Sequence, residues 1–175
     1  MFKNLKLIFL VLLFLSNLSS ARSEEKIVFV DIDYILVNSI AGKKISSQIE
    51  AKSKKLETEY KNNKKKIDDK KSNLIKQKNV LSESEFKKKY QELETDIKKY
   101  NNELANNNKK LAIYKNKAQN EFLIKLNQIL QTYAKDNSIS LMLNKQFILL
   151  GKNDLDLTKS LLSIFDKNVK KIDIK

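Results

Sequence analysis

The chain has 175 residues, 35 basic and 21 acidic side chains, a formal net charge of +14, and neither cysteine nor histidine. No disulfide can staple it, and the commonest general base, the commonest nucleophile and the soft metal ligands are missing, which argues against an enzyme, a cofactor or a metal centre. Without proline and with two glycines, little interrupts long helices, and stability must come from packing or assembly.

In chain order, Lys3 and Lys6 precede an apolar run from Leu7 to Leu15, and Ser19 and Ala21 are the small residues that mark a cleavage site. As a helix that run covers about 14 Å against a hydrocarbon core of about 30 Å, so it is short for an uncleaved anchor, the competing reading. Residues 1–21 read as a signal peptide removed on export, leaving a chain that starts near Arg22. Next comes Lys26-Ile-Val-Phe-Val-Asp31, a β-branched and aromatic run bounded by charge, which reads as a buried strand.

Residues 39–135 form the arm. A thin apolar stripe runs through Ile45, Ile49, Leu56, Tyr60, Ile67, Leu74 and Leu81, at first in eleven-residue and then in seven-residue steps. A second stripe keeps heptad spacing through Phe86, Tyr90, Leu93, Ile97, Tyr100, Leu104, Leu111, Tyr114 and Ala118, with Asn107 as its polar member. It then slips by one four-residue step into Phe122, Leu126, Ile129 and Tyr133, a stutter that locally unwinds a supercoil. Each stripe is wide enough for one neighbour and too narrow to wall a globular core. Between them, Ser82-Glu-Ser-Glu85 has the capping-box arrangement and Asn79 can end the preceding helix, which places a turn near 79–82. The stripes then bury each other in an antiparallel coiled-coil hairpin. The alternative, one continuous helix of about 90 residues, needs a partner along its whole length.

Charge is concentrated on this arm. Residues 43–135 carry 24 lysines against 12 carboxylates, while the rest of the chain from Arg22 is neutral. Glu50/Lys54, Glu57/Lys61, Glu83/Lys87, Glu85/Lys89, Glu94/Lys98 and Glu121/Lys125 are supportive pairs four residues apart. The excess attracts anionic partners, and the triplets Lys64, Lys65, Lys66 and Lys87, Lys88, Lys89 are the candidate patches. Lysine outnumbers arginine 34 to 1 and the aromatics sit on the seams, which speaks against nucleic acid as the partner; compositional bias also accounts for part of the lysine.

After the arm, Ser138-Ile-Ser-Leu-Met-Leu143 and Phe147-Ile-Leu-Leu-Gly151 read as a strand pair joined by Asn144-Lys-Gln146. Thr158 is the expected N-cap of a helix from Lys159 to about Val169. Residues 22–38 and 136–175 thus form a small β-containing head, marginal alone and in need of oligomerisation through its strands; the candidate assembly residues are Val28, Val30, Leu141, Leu143, Ile148 and Leu150. The fold class is mainly α with a small β head and a long projecting hairpin arm.

The chain resembles the Skp/OmpH family of periplasmic chaperones. The resemblance rests on Lys26-Ile-Val-Phe-Val-Asp-Ile-Asp33, Tyr34-Ile-Leu-Val-Asn-Ser39, Ala41-Gly-Lys43, Leu81-Ser-Glu83, Ile139-Ser-Leu-Met-Leu-Asn144, Phe147-Ile-Leu-Leu150 and Asp156-Leu-Thr158. It implies a jellyfish-like homotrimer whose β body joins three arms around a cavity, and a periplasmic holdase for unfolded outer-membrane proteins that uses no ATP. It also raises an anionic lipid or lipopolysaccharide surface as a partner, without assigning residues to it. Near absence of arginine and fewer alanines and glutamines in the arm depart from the family pattern. A structural coiled-coil protein of the envelope and an exported polyanion binder are the competing functions.

Overall fold

The computed structural model describes residues 25–174, so the signal-peptide reading of residues 1–21 falls outside it. Strand β1 (Lys26–Val30) is followed by a short helix α1 (Ile32–Asn38), which Asp31 caps by accepting from the Tyr34 N–H at 2.8 Å. An elbow leads into α2 (Ile40–Lys76). There Ser39, fully buried, turns the chain with an extended backbone and accepts from the Gly42 N–H at 3.0 Å. Asp166, from the far end of the sequence, accepts from the Ile40 N–H at 2.8 Å. Its negative charge sits where the unpaired N–H groups and the helix dipole favour it. Gly42 is required for this elbow, because a Cβ there would lie 1.7 Å from the Leu36 carbonyl oxygen.

The arm is the hairpin and not the rod. Helix α2 ends at Lys76 and α3 (Glu83–Asp136) returns antiparallel. Tyr114 donates to Gln48 at 2.8 Å, Tyr60 to the Leu104 carbonyl at 3.5 Å, and Lys89 to Gln77 at 2.9 Å, while Lys70 pairs with Asp96. One register holds from the base to the turn. The positions of both apolar stripes are the less exposed positions of their helices, with Tyr90 alone of them at the surface and Asn107 half-buried in the seam. At the turn, Ser82 accepts from the Glu85 N–H and Glu85 accepts from the Ser82 N–H, both halves of the capping box.

At its other end the hairpin merges with the head. Val30, Ile35, Ala41, Ile45, Ala118, Phe122, Leu126, Leu161, Phe165 and Ile172 make one buried cluster. Five of these, Ala41, Ile45, Ala118, Phe122 and Leu126, belong to the arm helices. Ser138 ends α3 in the left-handed region at φ 53°, a conformation that costs a non-glycine residue about 1 kcal/mol or more. This reversal feeds β2 (Ile139–Asn144), which pairs parallel with β1, Val28 opposite Met142 and Phe29 opposite Leu143.

The expected second strand of a 138–151 pair does not form. The Asn144 side chain accepts from the Gln146 N–H at 3.2 Å and starts a 3-10 turn, Lys145–Phe147. The following residues cross the sheet as a strap instead of pairing with its edge. Gly151 passes so close over the Phe29 ring that a Cβ would sit 2.7 Å from its Cε1. A second 3-10 turn, Asn153–Leu155, precedes α4 (Thr158–Asn168). Thr158 is not the N-cap of α4 as expected. It is the first helical residue, its hydroxyl accepts from the Asp31 N–H at 2.9 Å, and Asp156 accepts from the Thr158 N–H at 2.9 Å.

Gly42→Ala should unsettle the elbow. The atom it meets is backbone, so no rotamer relieves the clash, and a loss of about 2–3 kcal/mol is expected. Urea unfolding followed by circular dichroism reads it; unchanged stability would show that the α1–α2 elbow adjusts freely.

Candidate functional site

Two surfaces could serve a partner, the lysine-rich arm and the outer side of the head. On the arm, the structure does not merge the two lysine triplets. Antiparallel register places Lys87, Lys88 and Lys89 next to Gln77 at the turn, and Lys64, Lys65 and Lys66 further down, about 16 Å along the axis at 1.5 Å per residue. Three consecutive helical residues also radiate through about 200°, so each triplet is a collar and not a flat patch. Within the first collar, Lys64 is held by Asp68 at 2.7 Å, and that hydrogen bond raises its pKa further above the ordinary lysine value. Lys66 borders a groove between the helices together with Ile67, Lys70, Asp96, Lys99 and Tyr100.

Of the expected charge pairs, Glu57–Lys61 closes at 2.7 Å. Glu85 turns to Ser82 instead, whose hydroxyl and N–H hold its carboxyl below the ordinary glutamate value. Most of the lysine excess therefore faces solvent.

On the head, the six assembly candidates divide. Val28 and Val30 are each 2% exposed, and Val30 packs in the chain's own core. They face inward because parallel pairing with β2 sets that side of β1 against the arm base, so neither offers a surface to another molecule. Leu143 and Ile148 are half-buried, whereas Leu141 is exposed and Leu150 is 93% exposed. Sequence reasoning missed their neighbours. Phe147 is 79% exposed, Leu149 fully so, and Ile27 lies opposite Leu141 on the same outer side of the sheet. The signal is present as the unbroken Phe147-Ile-Leu-Leu150 run, which the sequence places in one strand of a pair.

The sheet edges are unequal. Beside β1, Leu157 donates its N–H to the Phe29 carbonyl at 2.9 Å and Asp156 bridges to Phe29. Beside β2, among the described residues, no strand occupies the outer edge. The strap that carries Phe147–Leu150 is anchored by Lys145, which pairs with Asp156 at 2.7 Å and lies 6.0 Å from the centre of the Phe29 ring. Burial pushes the Asp156 carboxyl up, but the hydrogen bonds from Lys145 and Thr158 outweigh it and leave the group below the ordinary aspartate value. Lys145 is raised by the same contact.

The sequence family described as outer membrane protein (OmpH-like) matches residues 26–164. Among solved structures, a crystal structure of a proposed OmpH-like outer membrane chaperone from Caulobacter crescentus is similar at a TM-score of 0.80 and 14% identity, over 85% of this chain and 88% of that one. At that identity the likeness concerns the fold. No curated protein matches the chain.

Asp156→Asn should release the strap and reduce stability at pH 7 by about 1 kcal/mol, a partly exposed ion pair contributing little more. A carboxylate lowered in the folded state stabilises fully above its unfolded pKa, about 4, and the contribution is lost as pH falls through the lower folded value. Urea melts should therefore separate wild type from variant at pH 7 and bring them together in stronger acid. A gap that persists undiminished below pH 3 would point to packing and not to the ion pair.

Proposed function

Because the chain belongs to the OmpH-like outer membrane protein family, we propose that it is a non-enzymatic, ATP-independent holdase. In this reading it binds unfolded outer-membrane proteins in the periplasm and prevents their aggregation before insertion. The observation that carries the reading is the arm: a registered antiparallel hairpin, rooted in the head core and bearing nearly all the net positive charge on solvent-facing positions. An unfolded barrel protein exposes apolar strands that would otherwise pair with one another. A cage of basic arms draws in acidic clients and speeds encounter, while confinement and apolar contact hold them.

A cage needs several arms. The free edge of β2 and the exposed Leu141, Phe147, Leu149 and Leu150 are the surface through which heads would join, in the three copies that the family resemblance implies. A single two-stranded sheet is marginal in water, and a neighbouring copy supplies the missing strands. The 147–151 segment has the composition of a strand and is extended at Ile148, ready to pair once a partner edge arrives.

Light scattering on the chain from Arg22 should give three copies. Leu149→Asp with Leu150→Asp should dissociate them with helix content retained; Val30→Asp is unsuited to this test, since a buried unpaired charge would damage the core of each head. A double variant that keeps its mass would remove the strap from the interface.

The assembled protein should suppress aggregation of an outer-membrane barrel diluted from urea, without nucleotide. Charge reversal at Lys64, Lys65, Lys66, Lys87, Lys88 and Lys89 should slow capture about tenfold at low salt and flatten its salt dependence without abolishing it. Removing residues 57–67 and 98–108 together shortens both limbs by about 16 Å while keeping each seam in phase. Protection of large clients should then fall with self-association intact; equal protection would mean that the arms are not the clamp. Tight, steeply salt-dependent DNA binding without any protection would favour the polyanion binder instead.

A further inference from the structure

The strap has the capacities of a strand and uses few of them. Among the described residues, the N–H groups of Leu149, Leu150, Gly151 and Lys152 donate to no other group of the chain, while Phe147, Leu149 and Leu150 leave their side chains in water. Unpaired backbone beside apolar side chains is what a sheet edge recruits. The outer edge of β2 carries no strand and ends one short turn before this segment. The strap is nevertheless folded away from it.

The restraint lies at its two ends. Lys145 follows the last residue of β2 and pairs with Asp156 at 2.7 Å, which closes residues 146–155 into a loop. Asp156 is the fixed member: it bridges to Phe29, accepts from the Thr158 N–H at 2.9 Å, and precedes Leu157, whose N–H is bonded to the Phe29 carbonyl. Lys145 is the more exposed member, with its ammonium 6.0 Å from the centre of the Phe29 ring. Inside the loop the chain doubles back. The Ile148 N–H is bonded to the Lys145 carbonyl at 2.9 Å, and a Cβ on Gly151 would lie 3.5 Å from Ile148 Cγ2. Residues three apart in a strand are separated by about 10 Å, so a segment in which Ile148 and Gly151 meet offers side chains to water but no edge to a partner.

We propose that the Lys145–Asp156 ion pair is an autoinhibitory latch, which holds residues 147–151 folded back on the head and parts before they pair with the sheet edge of another copy. This rests on heads joining at β2 and the strap, as proposed above, and adds a control on when they do so. A partly exposed ion pair is weak and salt weakens it further, so the latch biases the strap and does not bar it. A lone chain keeps the strap closed, and a neighbouring edge at sufficient concentration displaces the latch.

Asp156→Asn and Lys145→Gln open the latch from opposite sides and move the net charge in opposite directions, so an effect they share belongs to the pair. In sedimentation equilibrium on the chain from Arg22, the concentration at which half the copies are assembled should fall about fivefold for each. Lys145→Arg, which keeps the pair, should match the wild type, and added salt should narrow the gap between wild type and the open variants. The chain contains no cysteine, so Lys145→Cys with Asp156→Cys can be tied shut by dibromobimane, a short thiol crosslinker. The linked protein should stay as single copies, and the unlinked protein should assemble as readily as the open variants. Circular dichroism on the same samples should show unchanged helix content. A half-assembly concentration that is unchanged or raised in Asp156→Asn and Lys145→Gln overturns the latch, as does a linked protein that assembles as well as the unlinked one; both leave the assembly reading standing. Copies that stay single in the wild type and in every variant remove the assembly reading and the latch together.

Discussion

Phe122 and Phe165 meet with ring centroids 4.8 Å apart and planes tilted by 48°, both without solvent exposure. One belongs to the returning limb of the arm and the other to the last helix of the head, so this contact makes the two parts a single body at their junction. Around it gather Ile35, Leu126 and Leu161, all fully buried, and the elbow at Ser39 and Gly42 leaves no room for a change of angle. A head built from two short strands and two short helices would have too little apolar surface to hold itself together. By borrowing the base of the arm it gains a core, and the arm gains a root. Truncating either ring to alanine would remove one of the largest buried side chains, a loss of about 3–5 kcal/mol in well-packed cores.

Outward from that junction the forces change character. Along the arm, burial is confined to two narrow seams, and most other positions are charged or amide side chains in water. Ion pairs such as Glu57–Lys61 and Lys64–Asp68 are solvent-exposed, and exposed pairs contribute little to stability. The lysines are thus available for partners without being needed for the fold. In the head the reverse holds: charge is balanced, and the unusual feature is apolar side chains left in water at the strap.

The arm was legible in the sequence because its information is local. Spacings of three, four, seven and eleven residues name the buried face directly, and Ser82 with Glu85 marks the turn through contacts three residues apart. The head was only partly legible because its information is long-range. That β2 pairs with β1 and not with its own neighbour, that Thr158 spends its hydroxyl on the Asp31 N–H rather than capping its own helix, and that Asp166 serves α2 are contacts across more than 100 residues. The run Phe147–Leu150 has strand composition, yet Asn144 diverts it into a turn and the strap crosses the sheet instead of pairing with the free edge of β2. Burial of Val28 and Val30 follows from which face of the strand meets the arm base, which alternation alone does not choose. Helix α1 is too short and too apolar all round to carry a period.

Parallel pairing of β1 with β2 has a consequence for how the chain reaches this state. Joining Lys26 to Ile139 directly from a disordered chain means closing a loop of more than 100 residues, slow to search and entropically costly. The hairpin removes most of that search. Zipped from Ser82 downward through local contacts, it delivers Asn38 and Ile139 to the same end of the arm before any strand has paired. The longest element in the molecule is thereby a splint for its smallest sheet, and the local contacts of the arm favour its forming ahead of the long-range strand pair.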